Sequence, residues 1–319
     1  MMARAARSEQ KLEQAARAAW LYYVVGDTQD QVAAKLNVSR QAAQRLVSLA
    51  VSEKLIKFRL DHPIAACVEL EQRLQDKFGL QLCEIVPTAE TGAHPLGGLA
   101  VAVAEHLEDA LQASEPAVIG VSTGRTLRAA VEEVPHMECP DHKIVSLVGA
   151  MSRDGQASHF EIAGRLADKA KAMCFPMPAP VVTSTVEERE IMQAQRFYRT
   201  IEELAAQAQK CFVGVCEISW NCPLQRDGFL TPSEIIELAD NGAVGEIVGW
   251  TFDRAGNLLD NPINSRVTGI PLDVLAQRHT IAVGSGAHKI QPILGALRGG
   301  IVSGLISDEA TARALIAAS

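Results

Sequence analysis

Thr28-Gln29-Asp30-Gln31-Val32-Ala33-Ala34-Lys35-Leu36, then Asn37-Val38, then Ser39-Arg40-Gln41-Ala42-Ala43-Gln44-Arg45-Leu46-Val47-Ser48-Leu49-Ala50 decides how this chain is organised. Thr28 with Gln31 three residues on is a capping-box start for a helix whose inward face is Val32, Ala33 and Leu36. Asn37 tolerates the left-handed conformation and can turn the chain. Ser39 then caps a second helix, with Ala43, Leu46, Val47 and Ala50 inward. Arg40, Gln41, Gln44 and Arg45 stay outside, and such side chains suit guanine edges, adenine edges and phosphates. Two short helices joined by a turn of about three to four residues form a helix-turn-helix. The expected DNA contacts are Ser39, Arg40, Gln41, Gln44 and Arg45, with Thr28 and Gln29 near the DNA backbone. A helical hairpin used only for protein contacts has the same apolar spacing, so the outward residues and the local charge carry the distinction.

Working outward, Leu12 to Val25 has helical spacing and stops at Gly26, and Leu55–Leu60 alternates like a short wing strand. Residues 1–60 hold ten Lys/Arg against five Asp/Glu, or +5 on a chain of net charge −8, which leaves −13 on the rest. A basic module on an acidic body suits phosphate contacts to double-stranded DNA. Asp61-His62-Pro63 breaks the pattern, because proline disfavours helix before it. The expected domains are therefore residues 1–60, binding DNA, and residues 61–319.

After a helix over Ala65–Phe78, apolar strands alternate with helices. Strands are expected at Leu82–Val86, Ala117–Val121, Lys143–Val148, Met173–Phe175, Cys211–Val215, Gly249–Phe252, Thr280–Val283 and Gly304–Ile306. This is an α/β pattern, a Rossmann-like parallel sheet covered on both faces. In such sheets ligands sit beyond the carboxyl ends of the strands. Two strand-to-helix turns fit that place: Gly120-Val121-Ser122-Thr123-Gly124-Arg125-Thr126 and Val283-Gly284-Ser285-Gly286-Ala287-His288-Lys289. Backbone N–H groups at a helix start cradle anions, and Arg125 and Lys289 add charge. Asp253, after the strand Gly249–Phe252, is placed either to accept sugar hydroxyls or to stabilise its own turn.

Several functions are disfavoured. Neither glycine turn is a Walker A loop or a dinucleotide fingerprint, so no cofactor is expected. The seven cysteines are scattered without a Cys-x-x-Cys pair, and His159, His279 and His288 lack metal spacing, so no metal is expected either. No apolar run is long enough for a bilayer and no signal core follows the N-terminal arginines, which points to a cytoplasmic protein without a membrane partner.

The order of motifs resembles the SorC family of sugar-binding transcription regulators, which includes deoxyribonucleoside and central-glycolysis regulators. The resemblance rests on Thr28-Gln29 through Ser39-Arg40, on Gly120–Thr126, and on Gly242-Ala243-Val244-Gly245-Glu246-Ile247 leading to Phe252-Asp253. It continues through Val283–Lys289, Ala296-Leu297-Arg298-Gly299-Gly300 and Ile306-Ser307-Asp308-Glu309-Ala310-Thr311-Ala312. Arg17-Ala18-Ala19-Trp20-Leu21 and Leu80-Gln81-Leu82-Cys83-Glu84 look similar to regulators of erythritol and related polyol operons. It implies a winged-helix-like head and an effector domain related in fold to sugar-phosphate isomerases and deaminases. It also implies a homo-oligomer, dimer or tetramer, controlling a carbohydrate or polyol catabolic operon in response to a small sugar, polyol or sugar phosphate. Carried over by position, Ser122, Thr123, Gly124, Arg125 and Thr126 match the anion loop. Asp253 matches the hydroxyl-binding carboxylate and Lys289 the basic effector contact beside Gly284. Two departures stand out. Gly149-Ala150 replaces a frequent Gly-Gly, and Gly214-Val215-Cys216 replaces a frequent Gly-Ile-Gly, so added side chains narrow the pocket. The rival reading, a sugar-phosphate isomerase or deaminase, shares the sheet and loops but lacks an acid/base constellation.

Overall fold

A computed structural model describes residues 2–53, 55–56, 64–89, 96–149, 151, 161–220 and 222–319. The chain divides into two compact units, Met1–His62 and Pro63–Ser319.

In the smaller unit an alanine-rich helix runs over Met2–Ala19, longer than its apolar spacing alone indicates, since alanine is the best helix former. It passes into a π-helical turn at Trp20–Val24, and Gly26 (φ +81°) ends it. The next helix is Gln29–Leu36. The Gln31 amide donates to Thr28 Oγ1 (3.4 Å) and the Thr28 amide to Gln31 Oε1 (2.7 Å), so two otherwise orphaned N–H groups are satisfied reciprocally. Asn37 closes it at φ +51°. The helix Arg40–Ser52 starts where Ser39 Oγ accepts the Ala42 amide (3.2 Å). Ala15, Ala18, Ala19, Val32, Ala33, Ala43, Leu46, Val47 and Ala50 bury together. With six small alanines among these nine residues on three helices, the backbones can approach closely and the polar residues are left outside. Leu55 and Ile56 lie in a bend; the rest of the expected wing strand, 57–60, lies outside the described residues.

The larger unit is built on a seven-stranded sheet whose paired strands all run parallel. Its strands are β1 (Leu82–Val86), β2 (Val118–Val121), β3 (Lys143–Ser146), β4 (Met173–Phe175) and β5 (Lys210–Gly214). After a separate group, β6 (Cys216–Glu217), β7 (Gly245–Ile247) and β8 (Trp250–Phe252), come β9 (Thr280–Val283) and β10 (Gly304–Asp308). The order is β1-β10-β9-β5-β2-β3-β4. Each face has its own core. Val145, Val213 and Leu305 pack on one side and Ile144, Phe212 and Ile306 on the other, as the period-two alternation of a doubly covered sheet requires.

One expected strand belongs elsewhere. Trp250–Phe252 pairs antiparallel with β7, which pairs antiparallel with β6, in a separate three-stranded sheet. Val248-Gly249 joins β7 to β8 with φ of +48° and +92°, the two-residue turn whose twist matches a hairpin. Short helices at Val186–Gln193, Pro223–Arg226 and Leu272–Ala276 were not evident from spacing, being too brief for a periodic signal.

Candidate functional site

β5 lies between β2 and β9, so the segments following these three strands converge at one carboxyl edge. They enclose a cavity of about 440 Å³. Thr123, Gly124, Arg125 and Thr126 line it from the β2 side, and Ser285, His288 and Lys289 from the β9 side. Cys216 and Glu217 enter from β6, and Glu246, Val248 and Gly249 from β7 and its turn. Leu127, Val148, Val181, Leu224 and Phe229 supply apolar wall.

The two glycine turns share a backbone solution. Gly124 (φ +151°, ψ 155°) precedes the helix Arg125–Glu133, and Gly286 (φ +109°, ψ 155°) precedes the turn Ala287–Lys289 and the helix Ile290–Arg298. Side-chain-bearing residues rarely adopt either conformation. Each stands between a strand end and a helical start whose residues line the cavity, and a helix start favours negative charge.

The sequence-derived residues divide in role. Ser122 is buried and lines the cavity, but its hydroxyl is already used. It accepts the Gly214 amide (3.0 Å) and donates to the Thr123 carbonyl (3.2 Å), tying the β2 loop to β5. Lys289 donates to the Val215 carbonyl and is electrostatically coupled to Glu246. Gly284 is not among the lining residues. A Cβ there would stand 3.1 Å from Lys289 Cδ, so the glycine leaves room for the lysine stem.

Asp253 is not brought to the cavity. Its Oδ1 accepts the amides of Ala255 and Asn257 (2.9 Å each) and its Oδ2 accepts Asn257 Nδ2 (3.1 Å). Burial raises its pKa, but these bonds outweigh it and hold the carboxyl below the usual range. The turn-stabilising alternative is the one the geometry realises. The hairpin placement of β8 is the reason, since it points the strand end into its own tight turn.

Spacing did not reveal two acidic residues. Glu246 is buried, and its Oε2 accepts the Gly249 amide (2.8 Å). Burial pushes its carboxyl pKa up, while that amide, the Cys216 thiol and the Lys289 charge pull it down less strongly. Burial likewise raises the Cys216 thiol, which keeps it protonated and inert. Glu217 also lines the cavity. Its Oε2 is shielded from solvent without a hydrogen-bond partner and lies 3.9 Å from His288 Nε2. Glu246 stood within the Gly242–Ile247 motif and could have been found there; Glu217 carries no local signal. Of the two family departures, Cys216 reaches the cavity, while Ala150 lies outside the described residues. Val248 at φ +48° is an outlier for a β-branched residue, a strain of about 1–3 kcal/mol stored at the cavity wall.

In the smaller unit Arg40, Gln41, Gln44 and Arg45 are exposed along one helix, with Gln29 half-buried. Thr28 and Ser39 act as caps. Arg40 Nε stands 3.5 Å from Asp30 Oδ1, both side chains 68% exposed, so this pair holds the arginine weakly. Among the described residues no group of His, Cys, Asp or Glu could hold a metal, and no helix is long and apolar enough to cross a membrane.

A mixed α/β unit with a cavity of mixed polar and apolar lining at its sheet edge, in a chain that also carries a basic helical unit, fits a class of ligand-binding regulators. Residues 62–317 match the family described as "Putative sugar-binding domain". The chain is 34% identical over 302 residues to the erythritol catabolism regulatory protein EryD of Brucella abortus, covering 95% of this chain and 96% of the relative. It is 28% identical over 313 residues to the deoxyribonucleoside regulator of Bacillus subtilis, covering 96% and 98%. The full-length sorbitol operon regulator SorC of Klebsiella pneumoniae shares its fold, with a TM-score of 0.73 at 24% identity, over 95% of this chain and 97% of that one. The chain belongs to the SorC family of sugar-binding transcriptional regulators. It is a sugar-responsive transcription regulator and not an enzyme.

Proposed function

We propose that residues 29–45 form a DNA-binding helix-turn-helix with a winged-helix-like surround, and that the cavity receives the effector. Arg40, Gln41, Gln44 and Arg45 read base edges and phosphates, and Ser39, Thr28 and Gln29 sit at the DNA backbone. The effector is a small sugar, polyol or sugar phosphate. Its anionic or most electron-rich end lies on the Thr123–Thr126 N–H groups beside Arg125, and its hydroxyls reach Glu217, Glu246 and Lys289. The effector domain is of the kind related to sugar-phosphate isomerases. A homo-oligomer in the cytoplasm sets two recognition helices on one operator of a carbohydrate or polyol catabolic operon.

The observation that carries this reading is the cavity itself: an N–H-rich helix start on one side and two carboxylates on the other, at the adjacent ends of β2, β5 and β9. Gel-shift titration of the promoter DNA beside the chain's own gene tests it. Wild-type protein shifts the DNA, and the effector changes the midpoint. Lys289→Ala keeps the shift and loses the effector response. A wild-type chain that ignores DNA at low salt overturns the reading.

A further inference from the structure

Glu217 is in an unusual position for an acid. Its side chain lines the cavity wall and is 19% exposed, while its Oε2 has no hydrogen-bond partner, although buried polar atoms are ordinarily satisfied. A carboxylate is an acceptor only, so what completes it must bring an O–H or N–H. The chain places that acceptor by backbone pairing: β6 registers Cys216 with Glu246 and Glu217 with Gly245. The side chain stands on the β9 side, 3.9 Å from His288.

The β2 and β9 sides of the cavity present different groups, with Arg226 and Asp227 also in its lining. The β2 side offers helix-start N–H groups and Arg125. The β9 side holds Glu217 and Glu246, and the Lys289 ammonium that counters them is bonded to the Val215 carbonyl and coupled to Glu246. β2 and β9 are two strand spacings apart, about 10 Å, a span that suits a short polyol chain with one anionic end.

We propose that Glu217 is a specificity-determining residue: it accepts hydroxyl hydrogens from the far end of the ligand and repels a second anionic group there. The effector class is thus a polyol or sugar carrying a phosphate or carboxylate at one end at most. This rests on the cavity being the effector site. Discrimination comes from a repulsive element as much as from an attractive one.

The test is calorimetric titration of the full chain with linear polyols of four to six carbons, their monophosphates and their terminal bisphosphates. Wild type binds at least one polyol or monophosphate, and at least tenfold more tightly than the bisphosphate of the same skeleton. In Glu217→Gln that ratio shrinks about tenfold, chiefly because the bisphosphate binds better. A bisphosphate bound by wild type as tightly as its monophosphate overturns the proposal. So does a ratio unchanged in Glu217→Gln; both results leave the cavity reading standing. If neither protein binds any member of the panel, the cavity reading fails and takes the proposal with it.

Discussion

The helix Arg40–Ser52 and the cavity at the carboxyl ends of β2, β5 and β9 both present polar groups, under opposite physical conditions. On the helix, Arg40, Gln41, Gln44 and Arg45 project into water from a core of small apolar residues. Their charges are screened by salt, and the DNA recognition proposed for them draws on many weak, exposed contacts. In the cavity, Glu246 and one oxygen of Glu217 are withdrawn from solvent, where an unmet hydrogen bond is costly. The convex face favours affinity that salt can tune. The concave site favours discrimination among small molecules. A regulator needs both, and the chain keeps them in separate compact units.

Perturbing either side sharpens that contrast. Leu46→Ala removes a buried anchor of the small helical core and should cost ~2–5 kcal/mol in that unit. The DNA shift is then lost, while ligand-induced stabilisation in calorimetry persists; loss of both would mean the units are not independent. Arg40→Ala should cost ~1–3 kcal/mol of operator affinity and lower the slope of log affinity against log salt by about one. An unchanged slope would remove Arg40 from the DNA interface. Ser39→Ala should cost ~1 kcal/mol of stability through the lost cap, read from denaturant midpoints.

The smallest effect concerns pH. Glu246 has a folded pKa above its ordinary 4.5, so between the two values the native state holds a proton that the unfolded chain releases. Stability attributable to this group therefore falls as pH rises from 4.5 to the higher folded value. Glu246→Gln should show a flatter stability profile through that window and equal the wild-type slope below it. A wild type that gains stability relative to the variant across the window would contradict the direction.

The helical head was legible because its evidence is local. Thr28, Gln31, Asn37 and Ser39 fix two helices through contacts three residues apart, and the apolar spacing tells inside from outside. The parallel strands were legible for the same reason, as short apolar runs between glycine turns. The cavity was legible only on its loops. Gly124 and Gly286 announce their turns, but Glu217 reaches the site through pairing with β7, which near neighbours do not encode; the bond of Glu246 to Gly249 is local, while its burial is set by the tertiary packing. Asp253 shows the converse. Its position after a strand resembled a ligand contact, while the fold closes that strand into a hairpin and uses the carboxylate within four residues.

The central claim is that occupancy of the cavity and binding by the exposed helix are one linked equilibrium. The direct measurement is a reciprocal titration: operator affinity of the full chain with and without saturating effector, and effector affinity with and without saturating operator. Linkage predicts the same factor in both directions, typically ~5- to 150-fold for a coupling of this kind. An effector that binds the cavity yet leaves operator affinity unchanged, or two factors that differ beyond error, would contradict the account.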